Sequence, residues 1–343
     1  MKLRAWYPQI ATRRACQRAL WLVAGIALLA GPFVLRSQEN PPSSQSQTPT
    51  VKVAINVVNV LAIVKDKKGH LIPDLNKDDF EVSEDGVPQE IRYFSKQADA
   101  PLTLGILVDT SPSQQRVLPL EQEEGKAFIE QVLRPKDMAF VLHFDLDVEL
   151  LQDFTGDKKL LAKAIDETVI NGGGGGGGPT GGTFPDDRPC CTYLYDAVYL
   201  SSNEQLRNEV GRKVIILLTD GEDEGSKVKV ETALEASQKS DVMIYSLDIS
   251  DRMFPGYRGM FFSGDAVLRK LSDDTGGRVI HIGSPKDVSK GFQEIADELR
   301  TQYSFGYVSS NTRTDGGFRK LQLRVRNQNY KVQARRGYYA PTE

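Results

Sequence analysis

The stretch Leu102–Ser113, LTLGILVDTSPS, is the most informative for the fold of this 343-residue chain. Its first seven residues form a largely apolar run, which is typical of a parallel strand buried on both faces. A second such run, Val214–Thr219, leads into Asp220-Gly221. Both runs end in acidic and hydroxyl side chains. We therefore expect two neighbouring strands of one parallel sheet, with polar residues at a shared edge.

Strand and helix patterns alternate around these two runs. Met138–Phe144 and Val148–Phe154 are predicted to form a hairpin, and further strands are predicted over 242–249 and 278–282. Helical patterns cover residues 118–133, 158–167, 192–203, 230–239, 266–273 and 288–301. Alternation of this kind predicts an α/β fold with a doubly wound, mainly parallel sheet of the Rossmann-like type.

The segments on either side read as short strands separated by turns. They include β-branched alternation from Val53 to Val64 before the α/β part, and Phe318–Val325 and Tyr330–Ala334 after it. A doubly wound sheet has no use for adjacent hairpins. We therefore expect the α/β domain (99–302) to be inserted in a β-sandwich formed by residues 51–98 and 303–343.

The first 36 residues resemble an export signal. Arg13, Arg14 and Arg18 precede the uncharged run Ala19–Leu35, as in a secretory signal peptide or an uncleaved N-terminal anchor. Residues 37–50 are rich in Ser, Pro and Gln and are predicted to be a disordered linker. These features predict a secreted, periplasmic or envelope-anchored protein, with a membrane tether if the apolar run is retained.

The composition excludes several classes. Hydrophobic residues make up 40% and charged residues 26%, which is ordinary for a globular protein. Without the six basic residues of 1–36, 37 basic residues face 46 acidic ones, and this net charge of −9 argues against nucleic acid as a partner. Three Cys and three His cannot build a zinc finger or an HExxH site.

The strand ends carry the candidate chemistry. Asp109, Ser111 and Ser113 follow the first run, Asp220 follows the second, and Thr192 opens a predicted helix facing the same crevice. Carboxylate and hydroxyl oxygens suit a hard cation such as Mg²⁺ or Ca²⁺ rather than zinc. The alternative is that these side chains cap the helices that follow them.

This arrangement resembles the metal-ion-dependent adhesion site of von Willebrand factor type A (vWA) domains. The resemblance implies that five residues hold Mg²⁺, or Mn²⁺ or Ca²⁺ in its place: Asp109, Ser111, Ser113, Thr192 and Asp220. We call these five residues the oxygen cluster. The resemblance also implies that a carboxylate of a protein partner completes the metal shell, so that the domain acts in adhesion-type binding.

The flanks add to this resemblance. Asp79–Gly86 and Ala334–Ala340 are similar to the flanks of the exported bacterial VWFA-related family that is prominent among Acidobacteria, so that the resemblance covers about residues 51–340. The leading hypothesis is thus a non-enzymatic binding module. The alternatives are an envelope component whose metal only stabilises the fold and a metal-dependent hydrolase.

A glycine run, a cysteine pair, an aromatic loop and several polar residues are further features that could bear on function. Gly172–Gly178 reads as a flexible loop or a mobile rim of the metal site, and adjacent Cys190 and Cys191 as either a vicinal disulfide or thiols. An apolar loop at 252–262 either contacts a partner or packs on its own domain; its aromatic residues are Phe254, Tyr257, Phe261 and Phe262. Finally, His143 and His281 are expected to be sheet residues, and Asp145 and Asp147 to be solvated in a hairpin turn.

Overall fold

The structure of the protein, a computed structural model, describes residues 57–96, 100–170, 192–249 and 264–342. Its strands are β1 (Val57–Asp66), β2 (Phe80–Glu84), β3 (Val87–Gln89), β4 (Ile91–Lys96), β5 (Leu102–Asp109), β6 (Met138–Phe144), β7 (Val148–Thr155), β8 (Arg212–Thr219), β9 (Val242–Asp248), β10 (Val279–His281), β11 (Tyr303–Val308), β12 (Phe318–Val325), β13 (Tyr330–Ala334) and β14 (Gly337–Tyr339). Its α-helices are α1 (Leu118–Val132), α2 (Lys158–Asp166), α3 (Leu194–Leu200), α4 (Val230–Lys239), α5 (Asp265–Thr275) and α6 (Asp287–Arg300).

A six-stranded sheet lies at the centre, in the order β10-β9-β8-β5-β6-β7. Neighbouring strands are parallel except for β7, which runs antiparallel to β6 and forms the predicted hairpin with it. The two apolar runs of the sequence are β5 and β8, which are adjacent and buried along their whole length. They pair in the register Val108↔Leu218, so that both strands end at the same edge of the sheet.

Helices cover both faces of this sheet. On one face, α1, α2 and α6 pack against the residues of β5 that alternate toward them, such as Leu104 and Ile106. On the other face, α3, α4 and α5 pack against Leu107 and its neighbours. Alternate side chains of one strand therefore serve two separate hydrophobic cores, which explains why the strand sequence is almost wholly apolar.

Two antiparallel sheets combine the segments before and after the α/β part. Their strand orders are β13-β1-β11-β4 and β14-β12-β2-β3, so that β11 lies between two strands from the N-terminal flank. Their shared core contains an aromatic group of Phe80, Phe94, Tyr303 and Phe305, with ring centroids 4.6–6.4 Å apart. The predicted fold class, an α/β sheet inserted in a β-sandwich, is confirmed.

The sandwich contacts the α/β part through β1 and α6. Ile63 of β1 belongs to the core under α1 and α6, whereas its neighbours Ala62 and Val64 belong to the sandwich core. Glu298 of α6 is buried and accepts hydrogen bonds from Lys65 Nζ at 2.6 Å and Arg278 Nε at 2.7 Å. Side chains of β1 thus join both hydrophobic cores.

Three local predictions were wrong. The short strands β3 and β14 were missed, because three residues are too few to show a period. The helix predicted to begin at Thr192 begins at Leu194 and passes into a π-helical turn over Ser201–Gln205.

Among the described residues, no helix has the length and apolar character needed to cross a membrane. The apolar run Ala19–Leu35 lies outside these residues.

Candidate metal centre

Asp109 of the oxygen cluster accepts hydrogen bonds at both of its carboxylate oxygens. Its side chain is fully buried at the end of β5, where Oδ1 accepts a hydrogen bond from the Ser111 N–H at 2.9 Å. Its Oδ2 accepts one from the Thr219 hydroxyl, with an O···O distance of 2.5 Å. Thr219 Oγ1 in turn accepts from the Gly221 N–H at 3.1 Å. The carboxylate is therefore held from both strand-end loops.

Ser111 and Ser113 lie together in the loop that follows β5. Their hydroxyl oxygens are 3.0 Å apart, and the Gln114 side-chain amide donates to Ser113 Oγ at 3.3 Å. Ser111 precedes a short 3-10 turn but its side chain does not cap it. The residues that precede α1 and α3 are Val117 and Tyr193, so the alternative of helix capping by the oxygen cluster is not what the structure shows.

Asp220 adds a second buried carboxylate at the same edge. It directly follows β8, and its Oδ1 accepts from the Glu222 N–H at 3.2 Å. Burial, and after it the negative charge of Asp220, raise the pKa of Asp109 to about 7. The two carboxylates are thus close enough to repel each other, as expected where a cation belongs between them.

Thr192 reaches this edge through backbone pairing. The Thr192 N–H donates to Glu224 O at 3.2 Å, and the Glu224 N–H donates back to Thr192 O at 3.0 Å. The adjoining Tyr193 N–H donates to Asp145 O at 2.9 Å. Thr192 is buried and is joined to the loop after β8, while Tyr193 joins it to the β6–β7 turn. Asp109 thus ends β5, and the other four predicted residues lie in loops at the same edge of the sheet.

Glu121 is a third buried carboxyl that the sequence analysis missed. It lies in the first turn of α1 and is only 1% exposed. Desolvation, with the charges of Asp109 and Asp220, raises its pKa well above the ordinary value. A signal was present in the sequence, because Glu121 shares the apolar helix face with Leu118, Gly125 and Phe128.

The residues present fit a hard divalent cation. The edge gathers hydroxyl and carboxylate oxygens, the donor types that Mg²⁺ and Ca²⁺ prefer. Neither carboxyl oxygen of Glu121 has a hydrogen-bond partner among the described residues. Buried acids with unmet acceptors are costly without a positive charge, so a bound cation would relieve both the repulsion and the missing contacts.

Asp145 is buried, although it was predicted to be exposed to solvent. It is 2% exposed and accepts from Thr110 Oγ1 at 2.6 Å. His143, in β6 as expected, has its Nδ1 3.0 Å from Thr110 Oγ1 and its Nε2 3.4 Å from Glu149 Oε2. This network holds Thr110, the residue between Asp109 and Ser111 in the loop that follows β5.

A second group of possible ligands lies at the ends of β9 and β10 and the start of α5. Atoms of Asp248, Asp265 and His281 all lie within 4.8 Å of one another. His281 Nδ1 is 2.9 Å from Asp248 Oδ2, and its Nε2 is 2.9 Å from Arg269 Nη2. Arg269 Nε also donates to Asp265 at 2.8 Å. The guanidinium thus already supplies the positive charge that this group of acids needs.

Several predicted features lie outside the described residues. They are the paired cysteines Cys190 and Cys191, the glycine run and the aromatic residues Phe254, Tyr257, Phe261 and Phe262. Their proposed roles stay predictions.

Solved structures resemble this chain in fold. A von Willebrand factor type A protein from Catenulispora acidiphila is 13% identical, with a TM-score of 0.45 over 77% of this chain and 74% of its own. The α/β part thus resembles von Willebrand factor A-type domains in fold. The vWF domain of the type V pilus tip protein Mfa5 from Porphyromonas gingivalis is 13% identical, with a TM-score of 0.41 over 58% of this chain and 94% of its own.

Proximal thread matrix protein 1 from the mussel byssus is also similar to this chain. A structure of it with a zinc-occupied metal-ion-dependent adhesion site is 16% identical, with a TM-score of 0.44 over 60% of this chain. The match covers 50% of the mussel chain, so this chain corresponds to about half of that protein. No protein-family model matches the chain, and no curated protein sequence is significantly similar to it.

Proposed function

We propose that this chain is an exported, metal-dependent binding module of the adhesion type. In this proposal Asp109, Ser111, Ser113, Thr192 and Asp220 hold a divalent cation, with Mg²⁺ as the first choice, and the cation binds a carboxylate of a protein partner. The observation that carries the proposal is the proximity of two buried carboxylates and two serine hydroxyls at one sheet edge. Export rests on the sequence of residues 1–36.

The chemistry favours an acidic partner. The hydroxyls of Ser111, Ser113 and Thr192 are neutral ligands, so the cation keeps much of its charge where Asp109 and Asp220 bind it through water. A carboxylate from outside then becomes a favourable additional ligand, because hard cations prefer charged oxygen donors. The chain's own residues would hold the cation and leave one coordination position free for the partner's carboxylate.

We propose binding rather than hydrolysis. A hydrolase would need a general base beside the cation. His143, which contacts Thr110 in the loop after β5, is buried, and both its ring nitrogens contact other side chains, Thr110 and Glu149.

Calorimetric titration of the purified protein with Mg²⁺, Mn²⁺ and Ca²⁺ tests the metal. We expect saturable binding by the parent protein and none by the Asp109→Ala/Ser111→Ala variant. Asp147→Asn is the matched control, since Asp147 is an exposed acid near the same edge. Absence of binding by the parent at millimolar metal, or equal binding by the double variant, would overturn the proposal.

Relaxation of water protons by bound Mn²⁺ tests the carboxylate. Inner-sphere water speeds this relaxation, so we expect added succinate to reduce the effect and succinamide to leave it unchanged. If succinate changes nothing while Mn²⁺ raises the melting temperature, the cation only stabilises the fold, and the adhesion role is wrong.

A further inference from the structure

Glu121 has no structural role that its surroundings explain. It lies on the inward face of α1, where helical spacing otherwise places Leu118, Phe128 and Ile129. Its side chain is 1% exposed, and both carboxyl oxygens lack a hydrogen-bond partner among the described residues. An unpaired buried carboxyl strongly destabilises a fold, whereas an apolar residue would stabilise this position.

The surroundings of Glu121 point to a positive charge. The charges that act on it are those of Asp109 and Asp220, which are both negative. Glu121 is therefore within electrostatic range of both acids of the oxygen cluster, although it does not belong to the five-residue motif. Gln114, beside Ser113, has a buried Oε1 that also lacks a partner within the described part of the chain. Oxygens without donors are thus gathered on the α1 side of the oxygen cluster.

We propose that Glu121 is a further acidic residue of the metal site, whose carboxylate faces the bound cation directly or through a metal-bound water. This inference rests on the proposed function, since it needs the cation. Its consequence concerns the partner. A third negative charge strengthens retention of the cation and weakens the attraction that the cation exerts on an external carboxylate. Glu121 would then set the balance between holding the metal and binding the partner.

Two measurements on the Glu121→Gln variant test the inference. Gln matches Glu in volume but carries no charge. We expect Mg²⁺ and Mn²⁺ to bind at least about tenfold more weakly by calorimetry, the usual effect of losing a residue that supports a metal site. In EDTA at neutral pH we expect the variant to melt at a higher temperature than the parent, because folding no longer has to bury and protonate this acid.

The opposite signs of these effects distinguish a metal role from a structural one. Glu123→Gln is the matched control, because Glu123 is exposed on the same helix, and both its metal affinity and its melting temperature should equal those of the parent. If Glu121→Gln does not fold, Glu121→Met gives the same test with an apolar side chain of similar length.

The outcomes separate the two proposals. Metal binding by the parent with equal affinity in Glu121→Gln would overturn this inference and leave the proposed function intact. A parent protein that binds no metal would overturn both. Weaker metal binding combined with stronger displacement of Mn²⁺-bound water by succinate would support the proposed balance between metal and partner.

Discussion

Thr219 shows how one hydroxyl can organise a site without belonging to its motif. It donates to Asp109 and accepts from the Gly221 N–H, so it joins the acid of one strand end to the loop after the other. The motif names Asp109 and Asp220 but not the group that keeps their loops together. At the scale of the residue, the site therefore depends on a side chain that points back into the fold.

Removal of this hydroxyl should weaken the site. In Thr219→Val the carboxylate of Asp109 loses a donor and the Gly221 N–H loses its acceptor. We expect a loss of about 1–2 kcal/mol in the free energy of unfolding and about tenfold weaker Mg²⁺ binding. Thr219→Ser retains the hydroxyl and should stay close to the parent in calorimetry. Equal Mg²⁺ affinity in the parent and Thr219→Val would contradict this role.

The stability of the metal-free protein should depend on pH through Asp109. Its pKa is about 7 in the folded protein against the ordinary 3.8. Between these values the folded chain holds a proton that the unfolded chain has lost, so the free energy of unfolding falls as pH rises from about 4 to about 7. We expect Asp109→Asn to reduce this fall. Urea titrations in EDTA at pH 5 and pH 8 measure it.

Asp147→Asn serves as the control for the pH experiment, because Asp147 is an exposed acid in the β6–β7 turn. Its pH dependence should parallel that of the parent protein. The same slope in the parent and in Asp109→Asn would show that the raised pKa of Asp109 makes no contribution to stability.

At the scale of the element, the loop after β8 is set by a glycine. Gly221 has φ +81°, a backbone angle that residues other than glycine rarely adopt. A Cβ there would lie 2.7 Å from Leu268 Cγ and 2.8 Å from Gly264 O, at the start of α5. The close approach of this loop to α5 thus fixes the backbone on which Asp220 sits.

Gly221→Ala separates close approach from backbone strain when compared with Gly69→Ala. Gly69 has φ +90°, but a Cβ added there would have no atom within 4 Å, so its substitution should cost only about 1 kcal/mol. We expect Gly221→Ala to cost about 2 kcal/mol more, because α5 or the loop must move, and to weaken Mg²⁺ binding as well. Chemical denaturation compares the two. Equal losses would mean that the contact with α5 is unimportant.

At the scale of the whole molecule, the sandwich and the α/β part are connected by buried charge as well as by apolar packing. Glu298 is 1% exposed and contacts Lys65 of β1 and Arg278, the residue before β10. Lys65 and Glu298 are more than 200 residues apart in the sequence, and the fold brings them together. The sandwich is thereby held against the face of the α/β part that α6 covers.

Loss of the Glu298 carboxylate should destabilise this connection. In Glu298→Gln, Lys65 and Arg278 lose their shared partner, and we expect a loss of about 2 kcal/mol in the free energy of unfolding. Glu294→Gln is the control, since Glu294 contacts the same Arg278 but is 40% exposed and should cost about 0.5 kcal/mol. Equal losses in the two variants would show that burial of Glu298 adds nothing.

The fold class and most elements follow from the sequence alone. Long apolar runs such as Val214–Thr219 and helices such as Val230–Lys239 carry their own periodic signal, because burial acts on many residues in a row. The sequence also indicated the oxygen cluster, since four hydroxyl and acidic residues occur at strand ends and Thr192 comes just before a helix. Short strands such as Gly337–Tyr339 carry no such signal and were missed.

Which polar groups are buried together depends on the tertiary structure. Asp145 sits in a hairpin turn, a place where acids are usually solvated, and becomes buried because Thr110 approaches from another strand. Thr219 donates to Asp109, and the charges of Asp109 and Asp220 act on Glu121, across more than ten residues of sequence. Burial and electrostatic coupling of such groups depend on distances in space, which local patterns do not contain. The sequence therefore indicated where the proposed cation site lies, and the fold decided which further side chains are buried near it.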